Sequence, residues 1–97
     1  MDGPFQIDDG VRRAYLYAAA GHSRVDAIVD TGHGLVRRRV LIADLRSPKL
    51  VIELYKARDV ARYQSVARAV QQGVPLPPIE VSKPAKGIPL SQVRLET

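Results

Sequence analysis

The sequence predicts a single α+β domain, residues 1–97, in which a small mixed sheet carries two main helices. Three observations predict it. Apolar residues recur at helical spacing over Gly10–Ala20 and Arg58–Gln72, and each stretch runs into a glycine. Between and around them lie short segments that alternate apolar and polar side chains, the period of a half-buried strand. Finally, 97 residues suffice for one core and leave no room for a second.

Each element follows from its own residues. Phe5-Gln6-Ile7-Asp8 alternates and reads as a strand. In the helix after it, Val11, Ala14, Tyr15 and Ala18 share a face, Asp9 is of the type that caps a helix start, and Gly21 ends it. Val25–Asp30 and Leu35–Ile42 are strands joined by Thr31-Gly32-His33-Gly34, a turn, and so form a hairpin. Ser47-Pro48 breaks any helix over Ala43–Leu54, which reads as mostly loop with a short strand or turn. The second helix turns Val60, Tyr63, Ala67 and Val70 to one side, with Asp59 near its start and Gly73 as its stop. Val74-Pro75-Leu76-Pro77-Pro78 is an extended connector. Ile79–Ser82 is a strand, Lys83–Gly87 a loop and Gln92–Leu95 a last strand.

Composition narrows the chemistry. Without cysteine there is no disulfide framework, thiolate zinc site or cysteine nucleophile. No apolar run approaches the ~20 residues that cross a bilayer, and the N-terminus lacks a signal-peptide pattern, so no membrane partner is expected. Fifteen lysines and arginines, mostly arginine, oppose ten acids and give a net charge of +5. Such a surplus serves solubility or an anionic partner: nucleic acid, a nucleotide or an acidic protein.

The residues Asp8-Asp9-Gly10-Val11-Arg12-Arg13 concentrate that question. A helix start presents backbone N–H groups without intrahelical partners, and their dipole favours an anion by ~0.3–1 kcal/mol. Gly10, lacking a side chain, would let a phosphate approach the backbone. Arg12 and Arg13 in the first turn oppose the dipole, a placement that makes sense if an anion binds there. The plainer reading is a capped helix with two solvated arginines.

Asp9-Gly10-Val11-Arg12-Arg13-Ala14, with Gly21 and then Val25–Val29, resembles the core of the ParB/sulfiredoxin superfamily, where a strand ends in Gly-x-x-Arg and enters an alanine-rich helix. Gly10-Val11-Arg12-Arg13 is similar to the Gly-Glu-Arg-Arg of ParB proteins, which holds nucleotide phosphates, and to the Gly-Cys-His-Arg of sulfiredoxins, which puts Arg13 on the phosphate-binding arginine. Ser65–Gly73 and Leu76-Pro77-Pro78-Ile79-Glu80-Val81 resemble the helix and following strand that precede this motif in the family. Here they come after it, so the resemblance implies a circular permutant. Val11 stands in place of the sulfiredoxin cysteine, which removes sulfinic acid reduction, and in place of the ParB glutamate, which counts against CTP switching. Nothing resembles the ParB helix-turn-helix. What the resemblance then implies is a ParB-like nuclease of the kind found as C-terminal modules of bacterial polymorphic toxins. Such a module is delivered as the tip of a larger secreted protein, acts in the target-cell cytoplasm and is held by an acidic immunity protein.

On this reading the catalytic candidates are Asp8, Asp9, Arg13 and Glu80, with Glu80 brought to the motif strand by the family fold. Gly10, Arg12, Arg13 and the run Arg37-Arg38-Arg39 would bind the phosphates of DNA. Arg37 and Arg39 fall on the polar face of their strand, whereas Arg38 shares the apolar face, where it needs a partner. The plainer reading of these exposed acids and arginines is a solvated surface. The expected cofactor is a divalent ion, Mg²⁺ or Mn²⁺, on carboxylates. His22 suits a helix C-terminus, His33 lies in a turn, and neither has a partner at metal-ligand spacing. Tyr55 and Tyr63 are candidates for stacking on bases, with Tyr63 also on its helix's apolar face. The competing expectations are an ATPase or phosphotransferase with one deep pocket and a binding module without turnover.

Overall fold

The structure, a computed structural model, describes residues 2–97. Its elements in order are β1 (Phe5–Asp9), α1 (Val11–Ala19), β2 (Arg24–Asp30), β3 (Leu35–Leu41), a 3₁₀ turn (Ile42–Asp44), β4 (Leu45–Ser47), β5 (Val51–Glu53), α2 (Ala57–Gln71), β6 (Ile79–Ser82), β7 (Ile88–Pro89), a second 3₁₀ turn (Leu90–Gln92) and β8 (Arg94–Glu96). The α+β class stands. Six strands form a mixed sheet in the order β3-β2-β6-β1-β4-β7, and β5 pairs with β8 apart from it.

Alternation in β1, β2 and β6 sends Phe5, Ile7, Val25, Ala27, Val29, Ile79 and Val81 to one face, where all are buried. Fully burying a side chain of this size contributes about 1.5–3 kcal/mol, so this layer is the main source of stability. α1 covers it with Ala14, Val11, Tyr15 and Ala18. A second, smaller core holds Ile52, Leu54 and Val93 under Val60 and Tyr63 of α2. Val11 and Tyr15 touch both cores. Val11 is thus a packing residue between the two layers.

Both helices stop the same way. Gly21 and Gly73 adopt positive φ (88° and 70°). The N–H of the following residue donates five residues back in each case, His22 to the Tyr17 carbonyl at 3.0 Å and Val74 to the Ala69 carbonyl at 2.9 Å. This is the glycine-dependent ending expected of each helix. The β2–β3 hairpin closes through Thr31, whose N–H and hydroxyl both donate to the Gly34 carbonyl, at 2.9 and 3.0 Å.

Three expectations need correction. Asp9 does not cap α1: it ends β1, and Gly10, in a left-handed conformation (φ 105°), takes the cap position with no side-chain hydrogen bond. The segment Ala43–Leu54 is not mostly loop, because Leu45 and Arg46 pair in parallel with Phe5 and Gln6, while Val51–Glu53 pairs with Arg94–Glu96. The last strand begins at Arg94 rather than Gln92, which lies in the 3₁₀ turn.

Candidate functional site

The start of α1 opens into a cleft of about 1020 Å³, walled by three stretches of chain. Residues 8–13, the segment Pro48–Glu53, and Asp59, Arg62, Tyr63 and Val66 line it. These last four sit at i, i+3, i+4 and i+7 and therefore make a single stripe along α2. Ser47 sets the side that carries Lys49: its buried hydroxyl donates to the Lys49 carbonyl at 2.7 Å and accepts from the Lys49 N–H at 3.0 Å.

Register explains how the two adjacent aspartates separate. Ile7 pairs with Val81 and Asp9 with Glu80, so Asp8 is the extra residue of a bulge. Asp8 is exposed at the cleft and makes no hydrogen bond or ion pair among the described residues. The Asp9 carboxylate instead accepts from Arg13 Nη2 at 2.8 Å.

Gly10 and Arg13 take roles that the sequence does not announce. A Cβ on Gly10 would stand 2.6 Å from the Ile79 Cγ2 methyl, so the core fills the space a side chain would need, while Gly10 itself lines the cleft. Its positive φ independently favours glycine. The Arg13 side chain is 17% exposed; besides Asp9 it donates from Nη1 to the Pro77 carbonyl at 2.7 Å. Charged hydrogen bonds of about 1.5–3 kcal/mol outweigh the unfavourable dipole term of about 0.3–1 kcal/mol. The fold's own groups therefore account for Arg13 in the first turn, and no bound anion is needed to explain it.

Arg12 has no such account. It lines the cleft with Lys49 and Arg62, and none of the three makes a hydrogen bond or ion pair through its side chain among the described residues. The acids Asp8, Glu53 and Asp59 likewise make no side-chain hydrogen bond or ion pair among the described residues. Tyr63 stands on the same wall, and burial first, then the neighbouring Tyr15, push its phenol above its ordinary value. Among the described residues no three His, Asp or Glu side chains group in a way that would hold a metal ion.

The other candidates lie elsewhere. β6 does flank β1, but Glu80 is exposed opposite Asp9 and is not among the cleft's lining residues. Arg37, Arg38 and Arg39 are on β3, three strand positions from β1, or about 14 Å across the sheet. There Arg37 donates to Asp26 at 2.6 Å. Arg38 faces the same side as buried Ala27, is half-buried itself and is not without a partner. His22 packs edge-on against Tyr17 with ring centroids 5.2 Å apart. Tyr55 is exposed outside the cleft, and the hydrogen bond it donates to Glu96 at 2.8 Å, with smaller contributions from its surroundings, raises its phenol.

Lys49, Glu53, Asp59 and Arg62 are the cleft residues that sequence reasoning missed. For Asp59 and Arg62 a signal existed, since Asp59 keeps helical spacing with both Arg62 (i+3) and Tyr63 (i+4). Lys49 and Glu53 carried none, because only the fold brings residues 48–53 to residues 8–13. No protein-family model, curated protein or solved structure matches the chain.

Proposed function

We propose that the chain is a nucleotide-acting domain, built like the ParB/sulfiredoxin superfamily in permuted order, that takes a phosphate between the start of α1 and Arg12, Lys49 and Arg62. One observation carries this reading: the uncapped start of α1 faces a cleft in which cations from three separate segments converge unengaged. The acids in the same cleft decide between ligand types. Asp8, Glu53 and Asp59 would repel an extended polyanion, yet they suit the hydroxyl and amino groups of a single nucleotide. A Mg²⁺ or Mn²⁺ ion carried in on phosphates needs only one or two protein carboxylates, and Asp8 and Asp59 are of that type. Asp8, unengaged beside the α1 start, is the residue to activate a water. These features favour an ATPase or phosphotransferase over a DNase.

The toxin-type DNase is the second reading, supported by the net charge of +5 and by exposed Arg39 on β3. It requires DNA to engage the cleft and β3 together, and an acidic immunity protein belongs to it. Incubation with ATP, and separately with supercoiled plasmid, each with Mg²⁺ or Mn²⁺, tests both. The expected result is phosphate release from ATP, at least tenfold slower in Arg12→Ala, with the plasmid intact. Nicked plasmid would replace this reading by the DNase. Binding without turnover, weakening with salt at a log–log slope of about −0.9 per phosphate, would leave only a binding module.

A further inference from the structure

β3 is seven residues long, pairs with β2 from Leu35 to Leu41, and forms one end of the six-stranded sheet. Among the described residues no strand lies along its outer side. At the opposite end stands β7, only two residues long and closed by Pro89, which has no N–H to offer. The two ends therefore differ in kind: one is blunted, the other is an open backbone ladder about 23 Å long. Apolar side chains lie exposed along it, Leu35 at 71%, Val36 at 45% and Leu41 at 39%.

Its charge says what can sit there. In an antiparallel pairing of two copies centred on this strand, Arg37, Arg38 and Arg39 of one would face Arg39, Arg38 and Arg37 of the other, and like charges directly opposite are destabilising. A second copy is thereby disfavoured. An extended segment bearing carboxylates meets the reverse situation. On this face Arg37 already holds the Asp26 carboxylate at 2.6 Å, so a carboxylate and a β3 arginine meet in good geometry across a strand pair. Arg39 is exposed beside it and makes no hydrogen bond or ion pair among the described residues. The overall charge of +5 steers an acidic partner in the same direction.

We infer that the outer edge of β3 receives an extended, acidic segment of a partner protein as an added strand. Backbone hydrogen bonds to the edge supply the pairing, Leu35, Val36 and Leu41 supply apolar contact, and Arg37 and Arg39 select for carboxylates. The site is separate from the cleft, so it stands whether or not the nucleotide reading does.

The experiment uses the full chain and a nine-residue probe peptide in which glutamate alternates with valine, followed by amide hydrogen exchange and fluorescence anisotropy. The glutamate peptide is expected to bind and to slow exchange across residues 35–41 at least tenfold. A lysine–valine peptide should fail, and a copy N-methylated at alternate positions, which keeps the charge but loses the donors, should also fail. The Arg37→Glu/Arg39→Glu variant should reverse the preference toward the lysine peptide. Equal binding of the N-methylated peptide would overturn strand addition, and so would protection confined to residues 8–13. Concentration-dependent protection of residues 35–41 without peptide would assign the edge to a second copy instead. Protection there by a DNA duplex but not by the peptide would assign it to nucleic acid.

Discussion

Arg12 and Arg13 open a helix, and Arg37, Arg38 and Arg39 occupy a strand at the edge of a sheet. Both groups catch the eye in the sequence for the same reason, a run of positive charge. The fold treats their members differently. At the helix start, period 3.6 splits the neighbours: Arg13 turns back onto Asp9 and Pro77, while Arg12 is left facing the cleft. On the strand, period 2 sends Arg37 and Arg39 to the polar face and Arg38 to the core side. A basic run is therefore not one feature but several, sorted by the period of the element beneath it.

The largest effect is expected at Gly10, the glycine that turns β1 into α1. Gly10→Ala combines a positive φ with a methyl held 2.6 Å from Ile79, and should cost on the order of 2–4 kcal/mol in urea denaturation. A cost below about 1 kcal/mol would mean that the turn relaxes freely and the arginines after it are not held in place.

Within the first group, Arg13→Ala should destabilise by about 1.5–3 kcal/mol, because a largely buried guanidinium loses its hydrogen bonds to the exposed Asp9 carboxylate and the Pro77 carbonyl. Arg12→Ala should stay within about 0.5 kcal/mol of the parent while weakening ATP binding measured by calorimetry. Equal losses of stability in the two variants would mean that the fold holds both arginines alike.

The smallest effect belongs to β3. A double-mutant cycle on Asp26 and Arg37, an exposed pair, should give a coupling of about 0.2–1 kcal/mol that shrinks as salt rises. A larger, salt-insensitive coupling would show the pair to be structural and would bring β3 closer in kind to the helix start.

Much of this architecture was legible. Alternation marked β1, β2, β3 and β6, and two glycines marked where the helices end, because each of those signals acts over neighbouring residues. β4 and β5 escaped because three residues carry no period; Leu45 is a strand residue because Phe5 offers it a ladder. The candidate site was half legible for the same reason. Residues 8–13 announce themselves as one motif, whereas Lys49 and Arg62 join them only through folding. Gly10 and Arg13 were noticed for a ligand's sake, and the core methyl of Ile79 and the carbonyl of Pro77, both far along the chain, are what they meet.

The middle of the sheet is made of strands from opposite ends of the chain, β2 and β1 on either side of β6. β2 can pair with β3 and β1 with β4 earlier, but neither gains its central partner until residues 79–82 have been synthesised. Pairings so distant in sequence are slow to find, which delays completion of the sheet until nearly the whole chain is available. During that interval the β2–β3 hairpin, a local structure, is open along both of its sides. Like charges at its centre, Arg37, Arg38 and Arg39, disfavour pairing of two such hairpins along β3 in that interval.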